Sequence, residues 1–409
     1  MVSTCKCIAA QNPEGMLITL VATEEWLAIL ASDPPALPPN IQLRPIPNVL
    51  PSETIRGNDW PGFFEAVFTK MEAPVARLLE ELEEKPAGCV VADAMLLPWV
   101  VALGKSRSIP VVSLWPMSSA VLLPLFDYTG DDDPIDVKDW KGFDVARRVI
   151  DAVSWVPKTE CLLIASIHEL EPHATDAIKA HLQLPVYTVG PCIPYLSSND
   201  RPTTPTGPTN VDYYCNWLDS KPRDSVLFVS LGSHWVVSEA QTDEIASGLR
   251  ASGAHFLWSA RSNGQVCGDK GLIVPWCDQL RVLRHPSIGA FLTHCGWNST
   301  MESVFAGVVM IAFPIATDQP YNAKLIVEDW KVGVGLRREE GSEGVVKSEE
   351  IAGAVKRVMD LGGDESKEMR SNAERLQEAF KRAIEVGGSS HSNINAFVKR
   401  VLHRRDVDG

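Results

Sequence analysis

The chain runs to 409 residues, of which 45% are hydrophobic and 22% charged, with a formal net charge of -14. That length accommodates two domains with separate cores, and the acidic balance argues against a nucleic-acid partner or an anionic membrane surface. No apolar run approaches the ~18 residues of a membrane span, and the opening MVSTCKC lacks the apolar core of a signal peptide.

Short apolar, β-branched runs alternate with amphipathic helical stretches. Strands are expected at Met16–Thr23, Ile41–Pro47, Gly88–Ala94, Pro110–Leu114, Glu160–Ala165 and Pro185–Val189. Helices lie between most of them, among them Trp60–Leu82 and Glu169–Leu182. The stretch SSNDRPTTPTGP at 197–208 has the Ser, Thr, Pro and Gly content of a linker. Alternation then resumes through Ser225–Leu231, His255–Ala260, Leu272–Trp276, Ile288–Thr293, Val308–Phe313 and Val332–Leu336. Repeated β–α alternation implies parallel sheets covered by helices on both faces. The expected organisation is α/β, with Rossmann-like domains over 1–196 and 213–388, a linker over 197–212, and a tail over 389–409 with a helix at Asn393–His403. Nine cysteines without a C-x-x-C pair read as reduced thiols of a cytoplasmic protein, not as disulfides or metal ligands.

Chemistry-bearing residues concentrate at 276–319, WCDQLRVLRHPSIGAFLTHCGWNSTMESVFAGVVMIAFPIATDQ. Trp276 closes an expected strand and offers a flat face to a base. His294, Trp297, Asn298, Ser299 and Glu302 cluster where an apolar strand gives way to a helix. Such a turn points free N–H groups and a positive dipole end outward, which suits a phosphate. Ser299 and Glu302 also have the spacing of a helix capping box. Asp318 and Gln319, ahead of Pro320, can hold adjacent sugar hydroxyls, although an aspartate there can equally cap the next helix. Asp93 stands at the carboxyl end of an expected strand, where it is either a cap or a catalytic group.

From its opening Trp to its closing Gln, this segment resembles the signature of plant secondary-product glycosyltransferases, and the chain resembles the plant family-1 UDP-glycosyltransferases. The resemblance implies a GT-B fold, two Rossmann-like domains facing across a cleft, with the C-terminal helix packed back on the first. It implies transfer of glucose, with inversion, from UDP-glucose to a hydroxyl or carboxyl of a small lipophilic acceptor. UDP-glucose is then a co-substrate, with no metal and no other cofactor. It gives Trp276 and the Cys277 backbone to the uracil, Gln279 and Glu302 to the ribose, and His294, Ser299 and the backbone of Asn298 to the phosphates. It gives Asp318 and Gln319 to the hexose, and Gly232 and Ser233 to a phosphate-side loop.

The same resemblance makes Asp93 the residue that orients a catalytic histidine. No histidine precedes His168, and the family's first strand and histidine loop have no counterpart. The expectation is a first domain without its central strand, with a gap in the sheet and impaired transfer; His168 is the substitute base to consider. Val309 stands where the family usually has Pro, and His234, Trp235 and Val236 where it has smaller residues. Three other readings remain: a non-catalytic UDP-sugar-binding protein, a metal-dependent transferase using Asp131, Asp132 and Asp133, and a nicotinamide enzyme. The acidic run lies in a Gly/Pro-flanked loop, and Gly333-Val-Gly335 lacks a third glycine.

Overall fold

The computed structural model describes residues 2–12, 15–32, 37–52, 59–82, 87–126, 143–191, 193, 210–232, 237–260, 266–267, 270–337 and 344–408. The chain divides into two compact units, Met1–Ile193 with Arg382–Gly409, and Pro194–Lys381. In chain order the first unit contains α1 (Val2–Gln11), β1 (Ile18–Thr23), α2 (Glu24–Ser32), β2 (Ile41–Ile46), α3 (Trp60–Thr69), α4 (Glu72–Glu81) and β3 (Val90–Asp93). It continues with α5 (Leu97–Ser106), β4 (Val111–Trp115), α6 (Ser119–Phe126), α7 (Phe143–Val153), β5 (Leu162–Ile164), α8 (Pro172–His181) and β6 (Val186–Thr188). The second contains α9 (Asn210–Asp219), β7 (Val226–Ser230), α10 (Glu239–Ser252), β8 (His255–Ser259), β9 (Val266–Cys267), β10 (Gly271–Val274), α11 (Gln279–Leu283) and β11 (Ile288–Thr293). It ends with α12 (Trp297–Ala306), β12 (Met310–Ala312), α13 (Gln319–Lys324), β13 (Gly333–Gly335), α14 (Ser348–Met359) and α15 (Asp364–Ile384), before α16 (Ser389–Asp408) returns to the first unit.

The first unit holds two separate parallel sheets, β1–β2 and β3–β4–β5–β6. Among the described residues no ladder joins the two sheets. β4 is buried along its whole length, as a central parallel strand should be. β1 and β3 are not: Val21 is 37% and Val91 38% exposed. Helix α1 covers one face of the small sheet through Cys5 and Ala9, packed on Leu20 and Ile41. Asn40 also donates to the Ala9 carbonyl at 3.1 Å. Helix α16 docks on the far edge of the larger sheet, where Asn393 Nδ2 donates to the Thr188 carbonyl at 3.0 Å.

One helix expected over Trp60–Leu82 is two, interrupted at Lys70 and Met71. Pro74 has no N–H to return to residue 70, so the first helix ends there and Pro74 takes a first-turn position in the next. Such a position needs no intrahelical donor.

The second unit is a seven-stranded sheet of order β13–β12–β11–β7–β8–β10–β9, parallel except for β9. From β7 the chain builds outward through β8 and β10, then restarts on the other side with β11, β12 and β13. The order therefore reverses between β7 and β11, and ligands of open α/β sheets bind at the carboxyl ends beside such a switch point. Phe228 and Phe291, paired in register there, stack with centroids 5.0 Å apart and lock the sheet behind the site. The strand expected to run to Trp276 stops at Val274. Pro275 follows, and it cannot donate to a ladder.

Candidate active site

The register that pairs Thr293 with Ser230 sets the loops after β11 and β7 side by side. The His294 imidazole lies between two glycines of those loops. A Cβ on Gly232 would fall 2.6 Å from His294 Nε2, and one on Gly296 would fall 2.4 Å from it. Gly232 also has φ +79°, a conformation that favours glycine. Both positions therefore exclude a side chain so that the ring fits. Between His294 and Gly296, Cys295 takes φ +64°, and its N–H donates to Thr293 Oγ1 at 3.1 Å. This turn delivers the chain into α12. Gly296 caps α12 without any side-chain bond, and the start of a helix is where backbone N–H groups suit an anion.

The capping-box expectation for Ser299 and Glu302 is not met, because α12 starts at Trp297 and places Ser299 inside the first turn. Both side chains are instead bonded to Gln279, whose Nε2 donates to Ser299 Oγ at 2.9 Å and to Glu302 Oε2 at 2.7 Å. Burial, only partly offset by the Gln279 bond, pushes the Glu302 carboxyl up to about 7. Trp297 is buried and packs at a tilt on Trp330, while Asn298 faces solvent. Trp276 is 65% exposed. The backbone just after it is held by Tyr214, whose hydroxyl accepts from Asp278 N–H at 3.1 Å. Asp278 in turn caps α11. Cys277 is buried, which pushes its thiol up to about 12, so its side chain is inert and only its backbone can serve a ligand.

After β12, Asp318 and Gln319 lie at the start of α13. Asp318 makes no side-chain cap bond. Its Oδ1 accepts from Thr317 Oγ1 at 3.0 Å and its Oδ2 from Asn322 Nδ2 at 2.8 Å, and burial raises its pKa against both bonds. Gln319 is buried, and its Oε1 accepts from the N–H groups of Ile315 (2.8 Å) and Ala316 (3.1 Å). Two donors on the oxygen fix which end of the amide is the oxygen and which the NH2. Asn322 escaped the sequence reading, although its place one helical turn after Asp318 is the spacing at which side chains meet.

In the first unit Asp93 does cap: its carboxylate accepts from Met95 N–H at 3.0 Å. Burial pushes it up to about 6. His168 Nε2 lies 3.0 Å from Asp176 Oδ1 on α8. Ser233, His234, Trp235, Val236, the linker 197–208 and the acidic run Asp131–Asp133 lie outside the described residues. Among the described residues no three His, Cys, Asp or Glu side chains are grouped to hold a metal. None of the described helices is long and apolar enough to cross a membrane.

UDP-glycosyltransferase 87A2 of Arabidopsis thaliana is 39% identical over 440 residues, covering 98% of this chain and 94% of that protein. The chain belongs to the plant family-1 UDP-glycosyltransferases. The model of UDP-glucoronosyl and UDP-glucosyl transferases matches residues 204–378, which contain the whole constellation from Gly232 to Gln319. Two variants of Os79 from O. sativa, crystallised with UDP, superpose with a TM-score of 0.84 at 27% identity, over 98% of this chain and 97% of theirs. Os79 in complex with U2F and trichothecene gives 0.81 at 28%, over 98% and 96%. The two parallel-sheet units are those of a GT-B glycosyltransferase, and the activity of this family member is UDP-sugar-dependent glycosyl transfer to small acceptors.

Proposed function

We propose that the sugar is glucose, carried by UDP, and that it passes with inversion to a hydroxyl or carboxyl of a small lipophilic acceptor in the cytoplasm. The observation that carries the donor assignment is the single carboxyl-end edge shared by the loops after β7, β10, β11 and β12. Trp276 stacks on the uracil, with the Cys277 backbone at its edge. Gln279 and Glu302 take the ribose hydroxyls, exchanging their mutual bond for bonds to the ligand. His294, Ser299, Gly232, Ser233 and the leading N–H groups of α12, with Asn298 among them, take the diphosphate. Asp318 accepts from hexose hydroxyls, and the Gln319 NH2 donates to one.

In the transfer, the acceptor oxygen, ionised beforehand or giving up its proton to bulk water as it reacts, attacks the anomeric carbon from the face opposite UDP. The bond to the β-phosphate oxygen breaks, and its electron pair leaves with UDP. Charge grows on that phosphate, where His294 and the positive end of α12 stabilise it; donors aimed at developing charge are the largest single source of rate in many enzymes. No metal is invoked. Asp93, at the carboxyl end of β3, is the acceptor-side carboxylate in this reading.

The test is a transfer assay with UDP-glucose and UDP-galactose against a panel of phenols, alcohols and carboxylic acids. Glucose should be preferred, because the two sugars differ at one hydroxyl and a site built to hydrogen-bond it penalises its misplacement. Equal rates, or faster use of galactose, would refute the glucose assignment.

A further inference from the structure

Beside the donor site, Asn322 is fully excluded from solvent. Its Nδ2 has two hydrogens, and both are used. One goes to the Asp318 carboxylate at 2.8 Å and the other to the Cys295 carbonyl at 2.9 Å. Its Oδ1 has no hydrogen-bond partner among the described residues. A buried acceptor without a donor is a cost to folding, and an apolar side chain of similar shape avoids it.

The two groups that Asn322 joins lie at or next to strained backbone. Cys295 has φ +64°, and Thr317, immediately before Asp318, has φ +59°. Positive φ is uncommon for any residue with a Cβ, and for a β-branched residue it is an outlier that surrounding structure must hold in place. The Cys295 turn has a second anchor in Thr293 Oγ1. Among the described residues Asp318 has one other side-chain donor, the Thr317 hydroxyl, whose single hydrogen is shared between Asp318 Oδ1 at 3.0 Å and the Ala316 carbonyl at 2.8 Å.

We propose that Asn322 is a positioning residue for the sugar end of the donor site, holding the Asp318 carboxylate in register with the phosphate turn at Cys295. The proposal rests on the reading that Asp318 meets the hexose. With the amide gone, Asp318 loses the bond that orients it, whereas the phosphate turn keeps its Thr293 bond. Recognition of glucose then weakens more than recognition of UDP.

Calorimetry on the full chain with UDP and with UDP-glucose separates the two. Asn322→Leu and Asn322→Asp should raise the Kd for UDP-glucose about tenfold, the effect of losing one hydrogen bond to a charged group. The Kd for UDP should stay within about threefold. In a cycle with Asp318→Ala, the double variant should bind UDP-glucose no worse than Asp318→Ala alone, because coupled residues are not additive. Asn322→Leu leaves the Asp318 carboxylate and the Cys295 carbonyl one donor short and should melt lower than the parent; a single cooperative transition above the calorimetry temperature shows that the variant is folded. Equal weakening of UDP and UDP-glucose, or additive losses in the cycle, would mean a structural residue and overturn the proposal. If Asp318→Ala leaves UDP-glucose binding intact, the hexose reading of Asp318 fails first and takes the proposal with it. If Asp318→Ala weakens binding and neither Asn322 variant does, Asn322 alone is wrong.

Discussion

Three glycines of the second unit separate backbone strain from crowding of His294. Gly253, at the end of α10, has φ +75°, and a Cβ there would meet nothing closer than Lys270 Nζ at 3.8 Å. Gly296 has an ordinary φ of -61°, but its Cβ would strike His294 Nε2 at 2.4 Å. Gly232 combines φ +79° with a contact of 2.6 Å to the same atom. An L-residue in the left-handed region costs about 1–2 kcal/mol. For a unit of this size each kcal/mol lowers Tm by about 2–4 °C, so strain alone amounts to a fall of roughly 2–8 °C. Relieving a 2.4–2.6 Å contact to an ordinary ~3.5 Å separation moves the imidazole by about 1 Å. In the proposed donor site that would break the His294 hydrogen bond to a phosphate, about 1.5–3 kcal/mol, or roughly 10- to 150-fold in Kd. Gly253→Ala should therefore lose stability and keep UDP affinity. Gly296→Ala should lose UDP affinity, and Gly232→Ala should lose both. Differential scanning fluorimetry and UDP calorimetry on the three variants read the two quantities independently. Parental UDP affinity in Gly232→Ala and Gly296→Ala would remove His294 from the phosphate site.

Trp276→Ala should weaken UDP by about 5- to 150-fold, the ~1–3 kcal/mol of a base stacked on an aromatic ring. Its Tm should hardly change, because the side chain is 65% exposed; calorimetry at constant salt checks both. Asp93 has a folded pKa of about 6, raised by burial above its ordinary carboxylate value of 3.8. The folded state therefore keeps the proton longer, and stability falls as pH rises from about 4 to about 6, then levels off. Asp93→Asn retains an oxygen for Met95 N–H and removes that dependence. It should gain up to about 3 kcal/mol over the parent by pH 7 and little at pH 4, so an equal gain in urea melts at both pH values refutes the assignment. For the 409-residue chain, with no histidine before His168, acceptors already ionised at the assay pH should be glycosylated well ahead of alcohols. General-base catalysis typically contributes about 10²–10⁴-fold, and comparable rates for a carboxylic acid and an aliphatic alcohol would require a base within the chain, with His168→Ala the first variant to make.

The parallel strands were legible because strands buried on both faces read as short apolar runs, as VLFVS at β7 and IGAFLT at β11 do. What escaped were features set by a single residue or by partners distant in sequence. Pro74 divided an otherwise continuous helix, and Pro275 freed Trp276 from the strand that seemed to hold it. The two-residue strand β9 is too short to carry a periodic pattern. In the site, residue types were readable from one contiguous segment, but their bonding was not. Ser299 and Glu302 have the spacing of a cap yet are drawn to Gln279, twenty or more residues earlier. Asn322 was invisible as a functional residue because its significance lies in a carbonyl at Cys295, which has no side-chain identity to read.

The attachment of α16 to β6 bears on the order in which the protein is made. Asn393 and Thr188 are separated by 205 positions in the chain, with the whole second unit between them. On the ribosome, where domains generally fold as units as they emerge, the sheet of the second unit is complete long before Asn393 is synthesised. The β6 edge of the first unit stays open until Asn393 has been made. A chain interrupted near residue 381 would thus release a finished nucleotide-binding half joined to a half still lacking its final helix, and chaperones would meet the amino-terminal part of the protein, not the part made last.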